Sequence, residues 1–171
     1  FSQEFSISFG EVDEVFEGGV MEIIMTNALP VGGFQLEFSG IDIDSVSGGL
    51  AAENGFVLNN SSSVVMGYSL DGTTILSNSE PLIYLSGSFA GQTVCFENVI
   101  LSSSTGESYE TEVGECWVSE SILGCTEIDA CNYNPEATMD DESCIYMEDN
   151  GWCDCDGSVE DCTGECGGDI F

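Results

Sequence analysis

Short segments in which apolar and polar residues alternate constrain the fold of this chain more than any other feature. In Phe5–Phe9 and Phe34–Phe38 every second residue is Phe, Ile or Leu, and polar residues stand between them. Strands with one buried face show this period of two. Gly, Asn, Ser and Asp separate the further segments, which are residues 20–26, 63–70, 73–77, 81–89 and 94–101. Without a sustained helical period anywhere, the pattern predicts an all-β chain, an antiparallel β-sandwich of the jelly-roll type.

The apolar residues of these segments are the predicted core of the sandwich. Large aliphatic and aromatic side chains are the ones that proteins bury most often. We therefore interpret the aromatic residues as packing groups and not as a platform for a ligand. The predicted core residues are Phe34, Leu36, Phe38, Val65, Tyr68, Ile83, Leu85, Phe89 and Phe96.

The composition of the chain changes near Val118. Residues 119–171 contain seven of the nine cysteines and fifteen of the 32 Asp and Glu residues. A segment this small and polar cannot build a core of its own, so disulfides, with or without metal, must hold it. We predict a β-sandwich in residues 1–118 and a small, irregular, acidic, cysteine-rich region in residues 119–171.

The chain contains no Lys, Arg or His, although it carries 32 carboxylates. Nucleic acids and anionic membrane surfaces attract proteins through basic residues, so neither is a predicted partner. Serine, cysteine and lysine nucleophiles and phosphoryl transfer also need a basic group. A carboxylate-based hydrolase is the weakest alternative, because no motif singles out a catalytic pair. We predict no enzyme activity and, without an apolar run of 18 residues, no insertion into a membrane.

Nine cysteines in 171 residues indicate an oxidising compartment, so we expect an extracellular protein, secreted or at the cell surface. Cys95 lies in a predicted strand and Cys116 just past the last strand, which suggests a bridge between them. An odd cysteine is left for a neighbouring module or chain. Zinc bound by Cys153, Cys155, Cys162 and Cys166 is the less favoured alternative to disulfides. The disulfide candidates are Cys95, Cys116, Cys125, Cys131, Cys144, Cys153, Cys155, Cys162 and Cys166.

Because no side chain can neutralise the carboxylates, hard divalent cations are the natural counter-ions, and calcium is the predicted cofactor. Two groups of oxygen-bearing side chains stand beside turns in the cysteine-rich region. The alternative is that these are solvated turn residues in a disulfide knot. The candidate calcium ligands are Asn134, Asp140 and Asp141 in the first group, and Asp154, Asp156 and Asp161 in the second.

Two segments of this region resemble known repeats. Residues 124–146, GCTEIDACNYNPEATMDDESCIY, are similar to a short cysteine-rich repeat of large secreted and surface proteins of aquatic bacteria, with the pattern GCTDxxACNYxPxAxxDDGSC. Glu127 and Glu142 depart from that pattern, and Glu142 replaces a glycine, which puts a tight turn with positive φ in doubt. Residues 153–168 resemble a second repeat of such proteins, CDCxGxxxDCxGxCGG.

The preceding region resembles the cohesin-like β-sandwich domains that often precede these repeats. The resemblance lies in MEIIMTNALPVGGFQLEFSGI at residues 21–41, VSGGLAAENGFVL at 46–58 and GQTVCFENVIL at 91–101. Cohesins are jelly-roll modules that bind dockerins through one face of a sheet. The resemblance therefore implies a dockerin-like partner, without assigning contact residues.

Two functions follow as predictions. The first is an extracellular structural or adhesive module, a repeat unit or protomer of a large surface protein or fibre that disulfides and calcium stabilise. Its partners would be copies of itself or neighbouring modules, joined by strand addition through an unpaired edge or the N-terminal segment FSQEFSISF. The alternative is a cohesin-like binding module for a dockerin-like or glycan ligand, marked by an exposed apolar patch on a sheet face. Asn59 and Asn60 begin Asn-x-Ser sequons and are possible glycosylation sites.

Overall fold

The computed structural model describes residues 5–15, 18–76, 80–161 and 164–167. The chain divides into two compact units, Phe1–Ser119 and Glu120–Phe171. Within the described residues, no helix is both long enough and apolar enough to cross a membrane.

The first unit is a sandwich of two sheets. Its described strands are β1 (Ser6–Val15), β2 (Gly18–Thr26), β3 (Gly33–Ser39), β4 (Ile41–Ser47), β5 (Val57–Asn60), β6 (Val64–Tyr68), β7 (Ile83–Phe89), β8 (Thr93–Ser102), β9 (Ser108–Tyr109), β10 (Glu112–Val113) and β11 (Trp117–Val118), and helix α1 is Gly49–Glu53. Sheet A has the order β10-β1-β2-β7-β4, and sheet B has the order β11-β8-β3-β6-β5, with β9 beside β8. The predicted antiparallel β-sandwich is confirmed, with one exception, since β1 and β10 pair in parallel.

The alternation in the sequence places one face of each central strand in the core. In β3, Phe34, Leu36 and Phe38 are buried, while the residues between them remain partly accessible. Met21, Ile23 and Met25 do the same in β2. Because side chains of a strand point alternately to opposite faces, the inner sets of both sheets form one apolar layer between them.

Tyr68 does not belong to the core, so that part of the prediction is wrong. Its side chain is 39% exposed, because Val65 and Gly67 occupy the inward positions of β6. The ring of Phe34 fills the space above Gly67, where an added Cβ would lie 2.2 Å from the ring. The remaining predicted core residues are buried, except that Phe89 and Phe96 are half-buried and pack against the core.

The segment 73–77 does not form the predicted strand over its described residues. Ile75 makes only an isolated bridge to Val31, and Ser77 lies outside the described residues. Asp71 holds the preceding turn, since its Oδ1 accepts hydrogen bonds from Ser69 Oγ (2.8 Å), Thr73 Oγ1 (2.6 Å) and Thr73 N (3.0 Å). Local side-chain bonds of this kind offer the backbone an alternative to a strand ladder.

The second unit has little regular structure, as the prediction of a small irregular disulfide-rich segment requires. Its one described helix, α2 (Met147–Asn150), ends at Gly151 with φ 66°. Its described buried apolar residues are Cys125 and Ala130, while Ile128 is 77% exposed. Apolar burial is therefore too small to hold this unit together.

Candidate functional site

An exposed apolar patch lies on the outer face of sheet B. Met66, Tyr68 and Ile100 are 42%, 39% and 38% exposed. Gln35 of β3 stands between Met66 of β6 and Ile100 of β8 in the strand register, and Gly33 stands beside Tyr68. We call Gln35, Met66, Tyr68 and Ile100 the sheet B patch. Its side chains line a shallow depression of about 230 Å³.

Neutral residues dominate the immediate surroundings of the sheet B patch. Across β5, Val57 stands opposite Tyr68 and Asn59 stands opposite Met66. The nearest acid in the register is Glu37, one row beyond Gln35. An apolar centre without charged residues is typical of a protein contact surface. Apolar side chains lose little hydration free energy when a partner covers them.

The sequence analysis missed the sheet B patch because it placed both Val65 and Tyr68 in the core, although residues three apart in a strand point to opposite faces. The available signal was the spacing of Met66 and Tyr68, which lie two residues apart in a strand and so share a face. Val65 and Gly67 take the opposite face. Only the pairing of β6 with β3 shows which of the two faces is inside.

Disulfides pair eight of the nine cysteines. The bridge expected between Cys95 and Cys116 is present and joins β8 to the residue before β11. The ninth cysteine, Cys162, lies outside the described residues. The bonded pairs are Cys95–Cys116, Cys125–Cys144, Cys131–Cys155 and Cys153–Cys166.

The three bridges of the second unit connect its two repeat-like segments. Cys125–Cys144 closes the first segment, Cys153–Cys166 closes the second, and Cys131–Cys155 joins the first to the second. A bonded sulfur carries no thiolate charge and is not a zinc ligand of the usual kind. The zinc alternative is therefore wrong for Cys153, Cys155 and Cys166.

Asp140, in the first predicted calcium group, accepts hydrogen bonds from both ends of its own loop. Its Oδ2 accepts hydrogen bonds from N and Oγ1 of Thr126 at 3.1 and 2.9 Å, and its Oδ1 accepts one from N of Glu142 at 2.8 Å. These bonds, led by that from the Thr126 N–H, hold the pKa of Asp140 below its usual value. Asp140 therefore ties the two ends of the first segment together.

The other two residues of that group also close local turns. Oδ1 of Asn134 accepts a hydrogen bond from N of Glu136 at 3.0 Å, and Oδ1 of Asp141 accepts one from N of Ser143 at 3.0 Å. Asx turns of this type use the side chain to stabilise the loop itself. An ion would share these oxygens with backbone N–H groups.

Asp154 and Asp161 of the second predicted group have the same role. Oδ1 of Asp154 accepts hydrogen bonds from N of Asp156 (3.0 Å) and N of Ser158 (2.9 Å), and Oδ1 of Asp161 accepts one from N of Glu165 (3.0 Å). Hydrogen bonds from the Ser158 side chain and backbone lower the pKa of Asp154. Within the described part of the chain, the carboxylate of Asp156 accepts no hydrogen bond.

Calcium binding by the two predicted groups stays a prediction. Among the described residues, two groups of three Cys, Asp or Glu side chains bring ligand atoms within 4.8 Å of one another, and two members of each are disulfide sulfurs. Asp154, Asp156 and Asp161 do not form such a group. The two groups are Cys125, Asp140 and Cys144, and Cys153, Asp154 and Cys166.

The two sequon asparagines lie at the end of β5, and both side chains are exposed. Nδ2 of Asn60 donates hydrogen bonds to O of Ile43 (3.3 Å) and O of Ser61 (3.4 Å). Asn59 stands beside Met66 of the sheet B patch. Glycosylation at either position stays a prediction.

No protein-family model matches this chain, and no curated protein matches it. Several solved structures that are similar in fold are cohesin modules. A non-cellulosomal cohesin from the hyperthermophilic archaeon Archaeoglobus fulgidus is 14% identical, with a TM-score of 0.48 over 64% of this chain and 86% of that one. The second type II cohesin module from the adaptor ScaA scaffoldin of Acetivibrio cellulolyticus is 10% identical, with a TM-score of 0.43 over 66% and 87%.

A type II cohesin–X-dockerin complex from Acetivibrio cellulolyticus contains a further similar chain, which is 10% identical with a TM-score of 0.44 over 66% of this chain and 94% of that one. TM-scores below 0.5 at such identities do not establish a common function. The architecture described above rests on the strand pairing of this chain alone.

Proposed function

We propose that this chain is an extracellular, non-catalytic adhesive module that binds another protein through the sheet B patch. The observation that carries the proposal is that Met66, Tyr68 and Ile100 are exposed together on one face of the neighbouring strands β6, β3 and β8. Aromatic and long apolar side chains in such a position contribute most of the free energy of binding in protein interfaces. Gln35, between them, supplies a donor and an acceptor for orientation.

The covalent structure supports an extracellular location. Four disulfides persist in oxidising compartments and are rare in the reducing cytosol. The absence of Lys, Arg and His from the whole sequence supports the non-catalytic role, since most mechanisms of covalent and acid–base catalysis need one of them. We therefore propose a binding function and not a catalytic one.

The partner that we propose is a dockerin-like module. The resemblance of residues 21–41, 46–58 and 91–101 to cohesins implies such a partner. The outer face of sheet B offers it a flat surface with an apolar centre, which suits a protein contact better than a deep cleft would. A glycan ligand is the alternative that the binding experiment decides.

Strand addition receives less support than binding through a sheet face. In the N-terminal segment, Ser6 and Ile7 of β1 already pair with β10, and β1 carries a bulge between Phe9 and Val12; Phe1–Glu4 lie outside the described residues. The edge strand β5 has four residues, and the edge strand β4 carries a bulge between Ile43 and Ser45. Short or bulged edges discourage pairing with another chain.

The experiment compares two variants in binding to immobilised dockerin modules by biolayer interferometry. Met66→Ser combined with Ile100→Ser removes the centre of the sheet B patch, and we expect the affinity to fall at least tenfold. Val113→Ser, at a 44% exposed position of β10 in sheet A, is the matched control and should bind as the wild type does.

Equal binding by the double variant and the wild type would remove the sheet B patch from the proposal. Saturable binding of the wild type to an arrayed glycan, but to none of the dockerins, would establish the glycan alternative. The fibre alternative predicts filaments in negative stain at high protein concentration with calcium. A monodisperse monomer under those conditions would exclude it.

Calcium is a further part of the proposal, as a stabiliser of the second unit. Asp156→Asn is the informative variant, because its carboxylate accepts no hydrogen bond within the described part of the chain. We expect calcium chloride to raise the thermal midpoint of the wild-type second unit, and Asp156→Asn to remove that rise without changing the calcium-free midpoint. If chelator and calcium give the same midpoint in the wild type, the second unit binds no calcium.

A further inference from the structure

The outer face of sheet A, on the opposite side of the sandwich from the sheet B patch, contains a groove. Two adjoining depressions, of about 330 and 550 Å³, share Asp13 and Val20. The smaller continues over Gly18, Ser86 and Ser88 to Asp44, and the larger continues over Glu22 to Tyr84. We call this surface the sheet A groove.

Strand order explains the shape of the sheet A groove. Asp13 of β1 stands beside Val20 of β2, which stands beside Ser86 of β7, and Asp44 lies at the bulge of β4 next to β7. Neighbouring strands are about 4.8 Å apart, so β1 and β4 are separated by roughly 14 Å. The carboxylates of Asp13 and Asp44 therefore stand on the two rims, with Val20 and Ser86 between them. At the end of the larger depression, the floor carries Glu22 and Tyr84.

A glycine keeps the floor low beside Val20. A Cβ on Gly18 would lie 2.4 Å from the backbone O of Gly87. No larger residue fits at Gly18 without moving a strand. A trough about three strands wide accepts one extended peptide or one helix, whose diameter with side chains is about 10–12 Å.

The carboxylates of the sheet A groove are spaced for several separate cations. Within the described residues, Glu11, Asp13, Glu22 and Asp44 belong to no group of three Cys, Asp or Glu side chains with ligand atoms inside 4.8 Å. Asp13 and Asp44 are exposed and, within the same set, accept no hydrogen bond. A single metal ion needs converging oxygens, whereas amines or guanidinium groups on a chain can meet rims that are far apart.

We propose that the sheet A groove docks a basic segment of a partner protein, with Lys or Arg on both of its flanks and small apolar residues along its centre. Charge complementarity selects this occupant, because a chain without Lys, Arg or His offers its carboxylates no internal cation. Val15 and Val20, 59% and 41% exposed, supply the apolar contact. The proposal does not rest on the function proposed for the sheet B patch.

The experiment titrates the chain with an 18-residue helical peptide at physiological salt. The peptide carries Val along one stripe of the helix and Lys on both sides of that stripe, and it is called the Lys-Val peptide; in the Lys-Ser peptide, Ser replaces each Val. Asp13→Asn with Asp44→Asn removes one charge from each rim of the sheet A groove. Glu53→Gln with Glu107→Gln removes the same net charge at exposed positions outside it and is the matched control. We expect the rim variant to weaken binding at least fivefold and the control to weaken it less than twofold.

A second variant separates docking from general attraction between opposite charges. Val20→Ser keeps every charge, and we expect it to weaken the Lys-Val peptide at least threefold while leaving a Lys-Ser peptide unaffected. NMR shift changes of the wild type on addition of the peptide should cluster on β1, β2, β7 and β4. Equal losses in the rim and control variants, or shift changes centred on sheet B, would overturn the proposal. So would calcium alone producing the same shift changes.

Discussion

The sandwich and the C-terminal unit carry similar numbers of carboxylates but are held together in different ways. The first unit has 17 Asp and Glu residues in 119 residues, and the second has 15 in 52. In the first, strands bury an apolar layer that includes Leu36, Ile83 and Leu85. In the second, three disulfides and side-chain-to-backbone hydrogen bonds replace a core. Charge density therefore does not decide whether a segment folds; the available apolar burial decides how it folds.

Reduction of the disulfides tests this difference most strongly. We expect the second unit to unfold completely, since three bridges of about 2–4 kcal/mol each are the main source of its stability. The sandwich should stay folded and lose roughly 2–4 kcal/mol from the Cys95–Cys116 bridge. Each unit contains one tryptophan, Trp117 in the first and Trp152 in the second. Fluorescence of Trp152→Phe reports the sandwich, and fluorescence of Trp117→Phe reports the second unit.

Loss of both fluorescence signals at the same reductant concentration would contradict this difference, because it would show that the sandwich also depends on its disulfide. Retention of the Trp152 signal after full reduction would show that hydrogen bonds alone hold the second unit. Mass spectrometry after alkylation gives the number of reduced bridges in each sample.

A cavity in the sandwich should have the next largest effect. Leu36 is completely buried between Val65 and Val99 of the neighbouring strands. Leu36→Ala should lower the free energy of unfolding of the sandwich by about 2–5 kcal/mol, through lost transfer free energy and the cavity left behind. Denaturant unfolding followed by Trp117 fluorescence measures it. Met66→Ala, at the exposed position of β6 next to Val65, is the control and should change stability by less than about 0.5 kcal/mol.

A backbone substitution should act on the second unit alone. Glu142 is the one described non-glycine residue with positive φ, at 60°. The turn that the substitution of glycine by glutamate put in doubt is therefore present, and Glu142 carries its strain. Glu142→Gly should stabilise the second unit by roughly 1 kcal/mol, because L side chains disfavour this conformation. Thermal unfolding of Trp117→Phe, followed by Trp152, measures the gain.

The control for that substitution is Glu136→Gly, at an exposed position with ordinary backbone angles. It should destabilise the second unit, because glycine there only increases the freedom of the unfolded chain. A gain from both substitutions would mean that the loss of a negative charge, and not relief of strain, is the cause.

Lowering the pH should produce the smallest difference in stability between the two units, and the change should be gradual. Hydrogen bonds from the Thr73 side chain and backbone and from Ser69 lower the pKa of Asp71 in the sandwich to about 2. Lowered folded pKa values at Asp140 and Asp154 act in the second unit. A depressed pKa contributes stability above the unfolded value, and that contribution is lost as pH falls through the folded value. For Asp71 the loss falls between about pH 4 and pH 2.

Between pH 7 and about 4.5 the opposite trend should hold, because protonation weakens the repulsion among 32 carboxylates. The thermal midpoint of each unit should therefore rise and then fall as pH decreases. Asp71→Asn should flatten the fall for the sandwich only. A midpoint that declines steadily from pH 7 would show that repulsion contributes little.

Much of the sandwich was predictable from the alternation of apolar and polar residues in short segments. The alternation in Phe34–Phe38 and Val20–Thr26 predicted β3 and β2 because a period of two leaves one face apolar. Strand β4 was not predicted, because Asp42 and Asp44 are residue types typical of turns. Its pairing with the distant strand β7 makes it a strand. The prediction of a strand at residues 73–77 was wrong for the reverse reason. Their composition is typical of a strand, but Asp71 holds a turn just before them.

The candidate sites were less predictable than the fold. Cysteine content predicted a disulfide framework, but among the seven cysteines after Val118 many pairings are possible, and only proximity in space selects Cys131–Cys155. The oxygen-bearing residues near Asp140 were recognised as a cluster. Which N–H groups each carboxylate accepts from depends on the path of the backbone, which sequence spacing does not give.

The sequence by itself determined the class of this protein: a burial-driven all-β region followed by an acidic, cysteine-rich one, without basic side chains for catalysis or nucleic-acid binding. These properties follow from residue type and short-range period. Only the tertiary structure decided which face of β6 is outside, so that Tyr68 and Met66 form a surface and Val65 forms core. It also decided that Asp13 and Asp44 stand on opposite rims of one groove. Both depend on strand register and order, because pairing between distant segments, not local sequence, sets which side chains become neighbours.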